Sequence, residues 1–168
     1  MSNYIEIKPE DLNKSAFQMI GNEWMLVTAE KDSKANTMTA SWGGFGVMWN
    51  KNVTYIVLRP QRYTKEFIDS SDTYSLCFFD SKYKKQLAYL GAVSGRDEDK
   101  IEKAKLTLNK YEDVPYFEEG RLTFICRKLY AQEMEEKDFI DKSIIDSCYP
   151  NRDYHTMYVV EIEKILEK

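Results

Sequence analysis

Short runs in which apolar and polar residues alternate, broken by turn-forming residues, dominate the chain. Tyr4-Ile5-Glu6-Ile7 is the first, closed off by Pro9, and Asp11 to Met19 offers a helical turn with Leu12, Ala16 and Met19 inward. Trp24 to Ala29 reads as a strand, E-K-D-S-K-A-N as a polar turn and Thr37 to Trp42 as the returning strand, which predicts a hairpin. Gly43, Gly44 and Gly46 then break the pattern; such a group serves either a flexible loop or a close approach of backbone to ligand. Val53 to Leu58 is almost continuously apolar or β-branched, the mark of a strand buried on both faces, and Pro60 ends it. Thr64 suits the N-cap of a helix of about two turns, with Phe67 and Ile68 inward.

Thr73 to Phe79 is the next strand. Ser81 is placed to cap a helix that puts Tyr83, Leu87 and Leu90 on one face, with Gly91 as its stop. Asp97 is placed to cap another, running to Ala104 or Lys105. Residues 107–119 read as irregular. Arg121 to Glu133 and Tyr154 to Ile165 read as long strands, and the acidic piece between them as a loop with a short helix. About six to eight strands with a few short helices predict a mainly β fold, a small closed or half-closed barrel. No repeat or linker interrupts it, so residues 1–168 read as a single domain.

Charge and composition narrow the function. A net charge of -4 argues against nucleic acid as a partner, because such proteins carry a basic footprint. The 14% aromatic content fits a β-rich core or a flat ligand equally well. Cys77, Cys126 and Cys148 form no C-x-x-C pair, and with a single histidine they predict no metal site. Cys77 and Cys126 lie in apolar strand runs and read as small buried hydrophobes. No stretch has the ~20 apolar residues of a membrane span and no leader is visible, so no membrane partner and a cytoplasmic location are expected.

The stretch from Asn36 to Thr64 stands out chemically. Arg59 follows a buried strand, Arg62 lies beyond a proline-restricted turn and Thr64 opens a helix, whose free N–H groups favour an anion such as phosphate. The same arginines would equally serve surface ion pairs. Upstream, Asn36, Thr39 and Ser41 alternate with Met38, Ala40 and Trp42, a strand end against which a flat ring would lie, or one wet face of an ordinary hairpin. Ser94-Gly95-Arg96 is a second small-residue loop with a cation, and Lys100 lies one turn further on. Several catalytic schemes find no support. Ser41 and Ser94 lie in no G-x-S-x-G elbow, G-G-x-G lacks the strand-turn-helix frame of a dinucleotide fingerprint, and His155 is the sole histidine available to a triad.

Taken in order, N-T-M-T-A-S-W-G-G, W-N-K-N-V, R-P-Q-R-Y-T-K-E-F-I, S-G-R-D-E-D-K and H-T-M-Y resemble the flavin reductase-like family of FMN-binding split-barrel proteins, particularly its flavoredoxin-like branch. The resemblance runs from Trp24 to Ile165. It implies a Greek-key split β-barrel, usually a homodimer with FMN near the interface. It places Asn36, Met38, Thr39, Ala40, Ser41 and Trp42 along the isoalloxazine and ribityl groups, and Arg59, Gln61, Arg62, Tyr63 and Thr64 at the phosphate and nearby ring edge. Ser94, Gly95, Arg96 and Lys100 complete that pocket, and His155 lies near the open flavin face. Leu58, where valine is commoner, and Cys77, in a place often taken by serine, depart mildly from the pattern. The activity implied is transfer of electrons from NADH or NADPH through FMN to an acceptor. An FMN electron carrier reduced by a protein redox partner, and a split-barrel binding protein without redox activity, are the alternatives.

Overall fold

A computed structural model describes residues 4–168. Ten strands and four α-helices follow one another. They are β1 (Ile5–Ile7), β2 (Met25–Lys31), β3 (Lys34–Ala40), β4 (Gly43–Met48), β5 (Lys51–Leu58), α1 (Tyr63–Ser70), β6 (Thr73–Phe78), α2 (Lys84–Ala92), α3 (Lys100–Ala104), β7 (Leu108–Tyr111), β8 (Val114–Phe117), β9 (Leu122–Glu133), α4 (Ser143–Cys148) and β10 (Thr156–Glu167). One antiparallel sheet runs β3-β2-β6-β9-β10-β5-β4 and curls into a split β-barrel. The twelve-residue β10 is shared along one edge: Thr156–Glu161 pair with β5, and Ile165–Glu167 pair with β1. Register shifts between Val159 and Val160, and between Ile162 and Lys164, interrupt its ladder with β9; such bulges add twist, which a curling sheet needs.

Alternation within these strands builds the interior. Tyr158, Val160, Ile162 and Ile165 of β10 join Ile56 and Leu58 of β5 and Phe78 and Phe124 in the main core. Phe124 meets Phe78 at a ring-centroid separation of 5.3 Å and Phe45 at 5.7 Å. A second cluster, with Leu26, Cys77, Leu87, Leu90 and Phe117, seats α2 on the sheet. Cys77 and Cys126 are fully buried, and burial pushes both thiols up, so they behave as packing residues.

Several local expectations change. The Gly43-Gly44-Phe45-Gly46 stretch is strand β4, paired with β5, rather than a loop. Tight hairpin turns explain this: Trp49 and Asn50 both take left-handed backbone, as Asp32 and Ser33 do between β2 and β3, and two such residues turn a strand straight back. A Cβ on Gly43 would stand 2.4 Å from the carbonyl oxygen of Tyr55, so only glycine allows the strands to meet there. Residues 107–119 contain the β7–β8 hairpin, whose Pro115 sits opposite Lys110 at a sheet edge. The residue N-terminal to α1 is Arg62, and Thr64 is buried inside the helix. The cap of α3 is Asp99, which accepts from the Glu102 amide, not Asp97. The helical turn expected over 11–19 lies instead at Phe17–Glu23, as a π-helical turn, preceded by a short 3-10 turn at Pro9–Asp11.

Candidate functional site

Four segments converge at one end of the barrel. The end of β3 lies beside the Arg59–Arg62 turn, which leads from β5 into α1. The loop leaving α2 faces them, and residues 147–153 close the remaining side. Together they bound a cleft of about 630 Å³. A smaller hollow of about 170 Å³ adjoins it, sharing Met38, Arg59 and Arg62 and lined further by Thr39, Ala40, Ser41, Trp42 and His155. Of the residues singled out in the sequence, Met38, Arg59, Gln61, Arg62, Tyr63, Thr64, Ser94 and Lys100 line the larger cleft. Asn36, Gly95 and Arg96 stand just outside, around a neighbouring cavity of about 200 Å³ that also touches Lys100.

The cations of the cleft differ in how they are engaged. Arg62 Nη1 donates to the Gly91 carbonyl at 2.8 Å. Lys100 is 4% exposed and its Nζ donates to the Leu90 and Val93 carbonyls, each at 2.8 Å. These carbonyls end α2, where the helix dipole is negative, so two positive side chains cap one helix C-terminus. Burial, helped by the neighbouring Arg62 charge, pushes the Lys100 ammonium down to about 8. Arg59 pairs with Asp153 at 2.7 Å and donates to the Cys148 carbonyl at 2.8 Å. Gln61 donates to the same Asp153 carboxylate, and these partners hold its carboxyl below the ordinary aspartate range. Arg96 lies over the Tyr63 ring, 4.5 Å from its centroid, and pairs with Glu66 at the rim.

Beneath the rim is a buried polar pair. Asn36 is 3% exposed and its Nδ2 donates to Thr64 Oγ1 at 2.9 Å, tying β3 to α1. At the other end of the cleft the Trp42 and His155 rings sit 5.1 Å apart, with Trp42 half exposed. His155 is buried, and its Nδ1 lies 2.7 Å from the Tyr149 hydroxyl. Burial and the Arg59 charge lower the imidazole to about 4, so it is neutral at physiological pH. Nothing in the amino-acid pattern singles out Tyr149 or Asp153. Nothing local separates Asp153 from the 28 acidic residues, and Tyr149 is one of 12 tyrosines. The Pro150-Asn151 turn signal beside both was the one available hint.

No helix among the described residues is long and apolar enough to cross a membrane. No curated protein sequence matches the chain. Solved structures do. The FMN-binding domain of a flavin reductases-like enzyme from Shewanella baltica OS155 superposes with a TM-score of 0.72 at 15% identity, covering 99% of this chain and 78% of that one. Flavoredoxin from Methanosarcina acetivorans gives 0.67 at 23% identity over 87% of this chain and 68% of its own. The NADH:FAD oxidoreductase of Streptomyces globisporus gives 0.66 at 13% identity over 87% and 75%. At such identities the likeness carries the fold. The model of the flavin reductase like domain matches residues 18–168, nearly the whole of the chain, and the chain belongs to that family.

Proposed function

We propose that the chain binds FMN in this cleft and passes electrons from NADH or NADPH through it to an acceptor. The observation that carries the reading is the convergence of Arg62, Lys100 and Ser94 on one wall, continuous with the open edge formed by Thr39, Ala40, Ser41 and Trp42. The larger cleft alone falls within the ~300–1,000 Å³ range of ordinary ligand sites. In its place Arg62 and Lys100 hold a phosphate, with the Ser94 hydroxyl as a neutral partner. The end of β3 offers peptide groups to a flat ring. His155, kept neutral and steadied by Tyr149, lines that end without adding charge. Bound FMN supplies the hydride and electron chemistry, so the protein needs no strong acid or base of its own.

The decisive measurement is anaerobic mixing of the FMN-loaded protein with each nicotinamide donor. Bleaching of the visible flavin absorbance by at least one donor is expected. A protein that takes up FMN but is bleached by neither is a carrier, the reading favoured by the likeness to flavoredoxin. A protein that takes up no FMN ends the cofactor assignment. A second copy of the chain is expected to pack on the exposed Val47, Met48, Trp49 and Tyr130. Sedimentation showing a monomer at micromolar concentration would remove that part.

Lys100 supplies a pH test. Its ammonium loses its proton near pH 8 rather than near 10.5, so phosphate loses a positive partner as pH rises through about 8. FMN affinity should therefore decline above that pH, and Lys100→Met should flatten the profile. The sign for folding is opposite. Between about 8 and 10.5 the unfolded chain binds the proton more tightly, so this group's contribution to stability grows with pH across that window.

A further inference from the structure

The loop after α4 sets a carboxylate among the cations of the cleft. Asp153 Oδ2 lies 2.7 Å from Arg59 Nη1 and accepts from Gln61 Nε2 at 2.8 Å. Arg59 Nη2 is taken by the Cys148 carbonyl, and the guanidinium lies over the Tyr149 ring, 5.1 Å from its centroid. Arg59 is thus turned onto the 148–153 loop. Arg62 and Lys100 differ, because they hold neutral carbonyls that leave their charge available to an anion. The other carboxylate oxygen, Asp153 Oδ1, is buried with no hydrogen-bond partner. An ionised oxygen withdrawn from water without a donor is an incomplete arrangement, which lowers the cost of moving this carboxylate.

We infer that Asp153 is a specificity-determining residue of the cleft, competing with the ligand's phosphate for Arg59 and so restraining affinity for phosphorylated over unphosphorylated flavin. The inference rests on the FMN reading. A phosphate brought near Arg59 finds the guanidinium already held by a carboxylate, so it gains little from a charge that is largely neutralised. Full use of Arg59 requires Asp153 to turn away, whereas Arg62 and Lys100 are engaged from the start. A mere strut would behave differently. If Asp153 served only to brace Arg59, neutralising it would loosen the loop and weaken every ligand alike.

The test is Asp153→Asn, which keeps the shape and an acceptor for Gln61. FMN and riboflavin binding are titrated by flavin fluorescence at fixed ionic strength, in the natural chain and in an Arg59→Gln background, with melting curves to establish folding. FMN should tighten by about tenfold, the size of one close charge interaction in a partly solvated site. Riboflavin should stay within about twofold, and the FMN gain should vanish in the Arg59→Gln background. Unchanged or weaker FMN binding, an equal shift for riboflavin, or a gain that survives Arg59→Gln would each overturn the inference. Should the natural chain bind neither flavin, the FMN reading fails and takes this one with it; binding of FMN without the selective gain removes only the role of Asp153.

Discussion

Arg62→Ala is expected to weaken FMN by about tenfold to a hundredfold while riboflavin binding changes little. A charge-assisted hydrogen bond contributes about 1.5–3 kcal/mol, which is one to two decades of affinity. Arg62 is the cation best placed to show it. It leads into α1, lines both the larger cleft and the smaller hollow, and its only side-chain hydrogen bond among the described residues is to the Gly91 carbonyl. Gly91 lies in the last turn of α2 and is only half-buried, so water can take the place of the lost donor and the fold is expected to survive. The Lys100 charge is held down partly by Arg62, which places the two cations close together. Removing Arg62 therefore lets Lys100 hold its proton to higher pH, and part of the lost attraction returns near pH 8. Calorimetric titration of both flavins, at a pH well below 8 and again at 8, separates the two effects. An equal loss for FMN and riboflavin would make Arg62 a brace for α2 and put the phosphate elsewhere.

How much of this was legible in the chain depends on whether the signal was local. The near-continuous apolar and β-branched run Val53–Leu58 names a strand because five of its six residues are buried, and Tyr154–Ile165 reads the same way from its apolar residues. The proline-bounded R-P-Q-R turn names itself for the same reason: its geometry is set by adjacent residues. Gly43 and Gly44 misled because glycine weakens a strand, and here Tyr55 on β5 occupies the space their side chains would need. Residues 107–119 hid a hairpin because its partner surface, Leu26 and Cys77, lies far away in sequence. Arg59 shows the limit most clearly. Its position was readable, but its engagement by Asp153 across 94 residues depends on where the 147–153 loop folds, and no local pattern encodes that.

Gly95→Ala should destabilise the protein by about 1–3 kcal/mol, through one contact that also shapes the cleft. A Cβ at Gly95 would stand 2.2 Å from Asn36 Oδ1 and 3.1 Å from its Cγ, with Tyr63 Cδ1 at 3.3 Å. Asn36 has no easy retreat, since it is buried on β3 and its Nδ2 is committed to Thr64 Oγ1. Either the amide turns and leaves a buried polar group unpaired, or the 94–96 loop lifts and carries Ser94 and Arg96 out of register. Both routes cost: overpacking about 1–3 kcal/mol, an unmade buried hydrogen bond about 1–3. Urea unfolding measures the loss, by whichever route, as a lower midpoint at unchanged slope. Gly46→Ala is the control, because nothing lies within 4 Å of its added Cβ. The diagnostic variant is the double change with Asn36→Ala. Asn36→Ala alone removes the tie to Thr64, yet it also clears the space the new methyl needs. The double variant should thus be clearly more stable than the sum of the single losses predicts. Simple additivity would show that the methyl is accommodated by the loop alone and that Asn36 does not set the position of Ser94.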